Sequence, residues 1–220
     1  MLRRAVPFLA WLPYVVLSIT HVITLATGST AAQPTKLTLM PLLALPVLIA
    51  APRLRPRAAV TLILGALLFS WLGDGAGTLF PSAPTLPLML LFFGIAHIAY
   101  IVLFTRFAGI GPVPRWTIIY LAWWVGMLIA LGPHVGALIF GVALYGLVLA
   151  GTAATSARCG PLTTVGGAFF LASDTVLAFR LFLPEAMPAW TSPAVMLAYT
   201  FGQGLIIAGL LRTLRRKEAR

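Results

Sequence analysis

From Ala5 to Leu211 the chain is a succession of apolar runs, each about 20 residues long, the length needed to cross the hydrocarbon core of a bilayer. Short breaks separate them: TGSTAAQPT, APRLRPR, FPSAPTLP, AGIGPVPR, LGPH, SARCGP and LPEAMPAW. Their prolines and glycines end helices. Eight helices are predicted, at roughly 5–26, 35–51, 57–80, 86–106, 115–132, 135–155, 161–183 and 190–211. Breaks this short force successive helices to pack antiparallel, and none leaves room for a soluble domain. The expected fold is all-α, a bundle of eight transmembrane helices in a single domain over 1–220, with a basic tail from about 212.

Composition agrees. Hydrophobic residues make up 60% of the chain and charged ones 9%, against about 25% charged in soluble domains. A net charge of +11 would suggest nucleic acid as the partner of a soluble protein, but here the charges mark loops. Arg3 and Arg4 precede the first span, Arg53, Arg55 and Arg57 follow the second, and Arg106 and Arg115 flank the fourth break. Arg158 lies in the sixth break, and Arg212, Arg215, Arg216, Lys217 and Arg220 form the tail. Only Lys36 and Arg180 fall on the other side. The positive-inside rule therefore predicts both termini in the cytoplasm and a multi-pass protein of the inner (cytoplasmic) membrane. The first apolar run exceeds the 7–15 residues of a secretory signal core, so a retained helix is expected there. Cys159 is the only cysteine, which excludes an intrachain disulfide and a thiolate metal cluster.

Two aspartates break the apolar pattern. Asp74 lies in SWLGDGAG and Asp174 in FFLASDTVLAF. An ionised carboxylate at a helix centre costs about 2.5–3.5 kcal/mol on insertion scales, so such a residue marks function by default. The stretches GALLFSWLGD and VGGAFFLASD run parallel in the predicted topology, each with a phenylalanine five residues before its aspartate. Each aspartate lies on the order of 25 Å beyond a basic flank, Arg57 or Arg158. Equal depth lets the two meet, and the pattern is compatible with a four-plus-four parallel repeat.

The other polar residues within spans are His97 and Tyr100, Tyr145, and Tyr199 with Gln203, while Lys36 opens the second span. Ser70, Asp74 and Gly77 share one helical face, as do His97 and Tyr100, and Tyr199 and Gln203. A polar lumen between helices follows. Each of these residues also has a structural reading. Gly73 and Gly77 form a small-xxx-small packing pair. His97, Tyr145 and Tyr199 serve equally as interhelical hydrogen-bonding groups, and Lys36 and Arg180 as interfacial anchors. HExxH, GxSxG and Walker motifs are absent from the sequence, which leaves no support for zincin, serine-hydrolase or nucleotide-driven chemistry of those types. Acid and base work by carboxylates remains.

Taken in order along nearly the whole chain, KLTLMPLLA, GALLFSWLGD, FFGIAHIAYIVLF, GGAFFLASD with LAF after it, and AYTFGQGLI resemble the YhhN-like lysoplasmalogenases, small membrane enzymes with eight helices. AYTFGQGLI departs from a Tyr-Tyr-x-x-Gln pattern by carrying Thr200 in the second place. The resemblance implies hydrolysis of the vinyl ether bond of lysoplasmalogens to a fatty aldehyde and a glycerophospho-base. That reaction begins when an acid protonates the outer alkene carbon, and water captures the resulting oxocarbenium ion. Burial disfavours the charged form of a carboxyl, and a nearby second carboxylate disfavours it further. Asp74 and Asp174 are thus the expected acid/base pair, with the assignment between them open. His97, Tyr100, Tyr145, Tyr199 and Gln203 are expected to bind or position, and Lys36 to meet the phosphate of a lysophospholipid entering from the bilayer. No cofactor and no metal are implied. Paired intramembrane carboxylates also serve proton-coupled carriers of small amphiphiles, and a lipid-binding protein without turnover is a third reading.

Overall fold

The computed structural model describes residues 7–218; Arg3, Arg4 and Arg220 of the predicted topology lie outside them. Every regular element among the described residues is helical: α1 (Leu12–Ala26), α2 (Ala32–Ala50), α3 (Arg57–Asp74), the single turn α4 (Ala76–Leu79), α5 (Thr85–Val102), α6 (Ile119–Val135), α7 (Ile139–Ser156), α8 (Pro161–Phe182) and α9 (Thr191–Glu218). Six helical segments are long and apolar enough to cross a membrane: 32–53, 57–74, 85–108, 115–156, 161–182 and 191–217. The chain is a multi-pass membrane protein.

The eight expected helices give six such segments for two local reasons. Pro7 precedes a 3-10 turn, Phe8–Ala10, and Pro13 sits in the first turn of α1, which leaves that helix 15 residues long. At 1.5 Å per residue it extends about 22 Å, short of a full core. The 42-residue segment 115–156 is not straight. Gly136, at φ +61, is a backbone conformation that L side chains rarely adopt, and it folds α7 back along α6. A methyl added at Gly132 would meet Ile139, and one at Gly146 would meet Trp124, the pairing of an antiparallel hairpin.

Helix ends also differ from those expected. α3 stops at Asp74 rather than near residue 80, because Gly75 caps it and α4 turns away. The supposed tail from 212 is the last two turns of α9. Lysine and arginine are good helix formers and sit well at a C-terminus, where the helix dipole is negative. Thr213 Oγ1 donates to Cys159 O at 3.1 Å and Lys217 Nζ to Phe107 O and Gly109 O, both at 2.8 Å, so this segment is held to two loops.

α8 and α9 form the tightest pair. A Cβ at Gly166 would lie 2.8 Å from Gly202 O, and one at Gly202 would lie 2.9 Å from Gly166 O. Only glycines allow backbones this close, the small-residue solution of helix packing in lipid. Gly73 has a comparable task, since a Cβ there would lie 2.5 Å from the Phe93 ring. Its expected packing partner Gly77 is exposed beside Thr85. Large apolar side chains such as Ile19, Leu48, Ile129, Phe140, Leu144 and Leu197 face outward, as a lipid-facing surface requires.

Candidate functional site

α2 and α3 are adjacent and antiparallel, so the start of one lies beside the end of the other. Trp71 Nε1 donates to Leu37 O at 2.8 Å and fixes that register. Lys36, in the second turn of α2, therefore approaches Asp74, the last residue of α3, with Nζ 3.3 Å from Oδ1. A carboxylate at a helix C-terminus faces the negative end of the dipole. The ammonium opposes that cost and part of the cost of burial. Tyr199 on α9 donates to the other oxygen, Oδ2, at 2.8 Å. The Asp74 side chain is 4% exposed and that of Lys36 is 28% exposed, so the pair joins the bundle interior to one end of the molecule.

Asp174 lies midway along α8 in a different setting. Tyr145 of α7 donates to its Oδ2, and His97 Nε2 of α5 stands 4.0 Å from the same oxygen. Among the described residues no lysine or arginine pairs with it. His97 is fully buried. Its Nδ1 is 3.1 Å from Thr152 Oγ1, and that hydroxyl donates to Val148 O at 2.9 Å. A hydroxyl that has given its proton to a carbonyl accepts from the ring, which assigns the Nδ1–H tautomer to a neutral His97. The lone pair on Nε2 then faces Tyr145 OH at 3.4 Å and Asp174.

Phe170, one turn before Asp174, separates the two clusters. Its ring makes edge contacts with His97 at 4.7 Å and with Tyr199 at 5.4 Å between centroids, and Phe93 meets Tyr199 at 6.1 Å. Phe170 thus touches one ring of each cluster. Asp174 and Tyr145 also line two small clefts, ≈ 50 Å³ between α6, α7 and α8 and ≈ 60 Å³ between α5, α7 and α8. Their other walls are apolar, with Trp123, Trp124 and Leu131 in the first and Met89, Phe93 and Leu177 in the second. By volume each has room for a few waters, since one needs about 10–15 Å³, and Asp174 and Tyr145 are the polar groups that would receive them.

Six of the eight sequence candidates thus fall into two carboxylate clusters, Lys36–Asp74–Tyr199 and His97–Tyr145–Asp174. Tyr100 and Gln203 form a separate layer. Tyr100 OH donates to Gln203 Oε1 at 2.6 Å, and Gln203 Nε2 donates to Ser70 Oγ at 3.2 Å. Ser70 is one turn below Asp74, and Gln203 one turn below Tyr199. This layer ties α3, α5 and α9 together and makes no hydrogen bond to either carboxylate. Thr152 and Phe170 escaped the sequence reading. Phe170, four residues before Asp174, shares its helical face, a signal that was available; nothing in the local sequence singles out Thr152.

Among the described residues no three His, Cys, Asp or Glu side chains converge as a metal-ligand set. Neither a curated protein nor a solved structure matches the chain. The sequence model of the YhhN family matches residues 31–210, a stretch that contains Lys36, both aspartates, His97, Tyr100, Tyr145, Tyr199 and Gln203, and the chain accordingly belongs to the YhhN family.

Proposed function

We propose that this chain hydrolyses the vinyl ether bond of lysoplasmalogens, or of a closely related alkenyl lysolipid, within the membrane. The observation that carries the reading is the asymmetry of its two buried carboxyls. Asp74 has a cation, Lys36, and a phenol donor, Tyr199, and both favour its charged form. Asp174 has no such cation and faces an imidazole lone pair. A carboxylate would be repelled by that nitrogen, whereas a neutral carboxyl is not. This is the division into ionised carboxylate and neutral acid that general-acid catalysis uses.

In this scheme Asp174 donates its proton to the outer alkene carbon. The adjacent carbon becomes an oxocarbenium centre, stabilised by the negative charge left on Asp174 and by Asp74. Water from the small clefts attacks that centre and returns a proton to Asp174. The hemiacetal then breaks into aldehyde and glycerol hydroxyl, with net addition of one water. Tyr145 and His97 hold Asp174, and the apolar cleft walls accept the alkenyl chain. Eight spans, with both termini in the cytoplasm of a cell with an inner membrane, are part of the same proposal. The test is mass spectrometry of two lysolipids incubated with purified protein. One carries the vinyl ether and the other the saturated alkyl ether at the same position. Aldehyde is expected from the first alone. Loss of neither, with movement of unmodified lipid driven by a pH difference across liposomes, would replace the hydrolase with a carrier.

A further inference from the structure

At the basic end of the bundle, remote from Lys36 and Asp74, a cavity of ≈ 790 Å³ opens between the 109–110 loop, the start of α8 and the last turns of α9. Arg212, Arg216 and Lys217 line it, and no lining residue is acidic. The three cations recur at i, i+4 and i+5, so one side of α9 presents them together. All three are exposed. Lys217 is fixed at the rim by its bonds to Phe107 O and Gly109 O, which hold its charge in place without neutralising it. The opposite wall is fixed as well, because Arg158 Nε donates to Gly111 O at 2.9 Å and Ile110 N to Arg158 O at 2.8 Å. Ile110 and Leu162 give the cavity an apolar flank. It therefore combines a cationic rim with apolar wall where the last apolar helix leaves the membrane.

We infer that this cavity binds the phosphate headgroup of an anionic phospholipid. A free phosphate ion would need the cations alone. A lipid headgroup needs the cations beside an apolar wall for the first carbons of its chains, and basic pockets between membrane helices take such headgroups. The bound lipid would bridge α9 to the 109–110 loop and so stabilise the folded chain through mass action. This site involves neither Asp74 nor Asp174, and the inference stands independently of the hydrolase reading.

The test uses the full chain in detergent and follows thermal unfolding while lipid is titrated, so that hydrolysis is not the readout. Short-chain phosphatidylglycerol should raise the unfolding temperature in a saturable way. Phosphatidylcholine of equal chain length and inorganic phosphate should not. Arg212→Gln/Arg216→Gln should weaken the apparent phosphatidylglycerol affinity about 30-fold, the loss expected for two basic residues near an anionic headgroup. Arg212→Lys/Arg216→Lys should retain most of it, as should Arg53→Gln/Arg55→Gln, which removes charge from the 51–56 loop. An equal response to inorganic phosphate would make the ligand a free anion and overturn the lipid assignment. An equal response to phosphatidylcholine, or an unchanged affinity in the Arg212→Gln/Arg216→Gln protein, would overturn the site. Should that protein fail to fold, the salt dependence of phosphatidylglycerol affinity in the unaltered chain decides the point: a steep fall supports a headgroup site, and none refutes it.

Discussion

The two aspartates are chemically the same residue, and their neighbours make them different. Lys36 is the group on which that difference turns, because it supplies the only close cation that either carboxyl has among the described residues. Replacing it with methionine leaves Asp74 buried beside a neutral chain. Breaking a fully buried pair costs about 3–5 kcal/mol, and the partial exposure of Lys36 places this case toward or below the lower figure. Lys36→Met should therefore lower the unfolding temperature, and adding Asp74→Asn should restore part of the loss, since the uncompensated charge is then gone. A double variant no more stable than Lys36→Met alone would show that the pair does not hold Asp74. At this scale the sequence was informative where polarity stood out against apolar runs, as it did for Asp74, Asp174, His97, Tyr145 and Tyr199. It was silent on the Lys36–Asp74 contact, because the two belong to different helices, and on Thr152, whose importance lies wholly in the ring nitrogen it faces.

Helices were legible from apolar runs, but their ends were not. α9 continues through Arg212, Arg215 and Arg216 because charge does not stop a helix; only the hydropathy ends there. α3 stops at Asp74 because Gly75 follows it, although the apolar run goes on to Phe80. α1 is shortened by two prolines that hydropathy does not penalise. The contacts of Lys217 with Phe107 and Gly109, and of Arg158 with Gly111, gather the ends of α5, α7 and α9 on one side of the bundle, the side that carries most of the basic residues. Reporter fusions test the orientation that the positive-inside rule gives this arrangement. A fusion after Arg216 should score cytoplasmic, and one in the loop at Ala83 should score external. The reverse result would put Lys36 and Asp74 on the cytoplasmic face.

For the molecule as a whole, the glycine-mediated approach of α8 to α9 brings Asp174 and Tyr199 toward each other, and the antiparallel pair α2–α3 delivers Lys36 to Asp74. α5 and α7 add His97 and Tyr145. Six helices thus converge on two carboxyls separated by a phenylalanine, with apolar clefts between helices beside Asp174. The central claim is that these two groups act as one acid and its charged partner on an alkenyl lysolipid. Asparagine keeps the size and the hydrogen-bonding capacity of aspartate but neither donates a proton as an acid nor accepts one as a base. The most direct measurement is aldehyde release from a lysoplasmalogen by purified Asp74→Asn, Asp174→Asn and the double variant, each checked for folding by its thermal transition. The account predicts that Asp174→Asn loses at least about 10²-fold in turnover, that Asp74→Asn also falls, and that the double variant is little worse than Asp174→Asn alone, since residues acting as a unit fail together. Near-normal aldehyde release from a folded Asp174→Asn protein would contradict it.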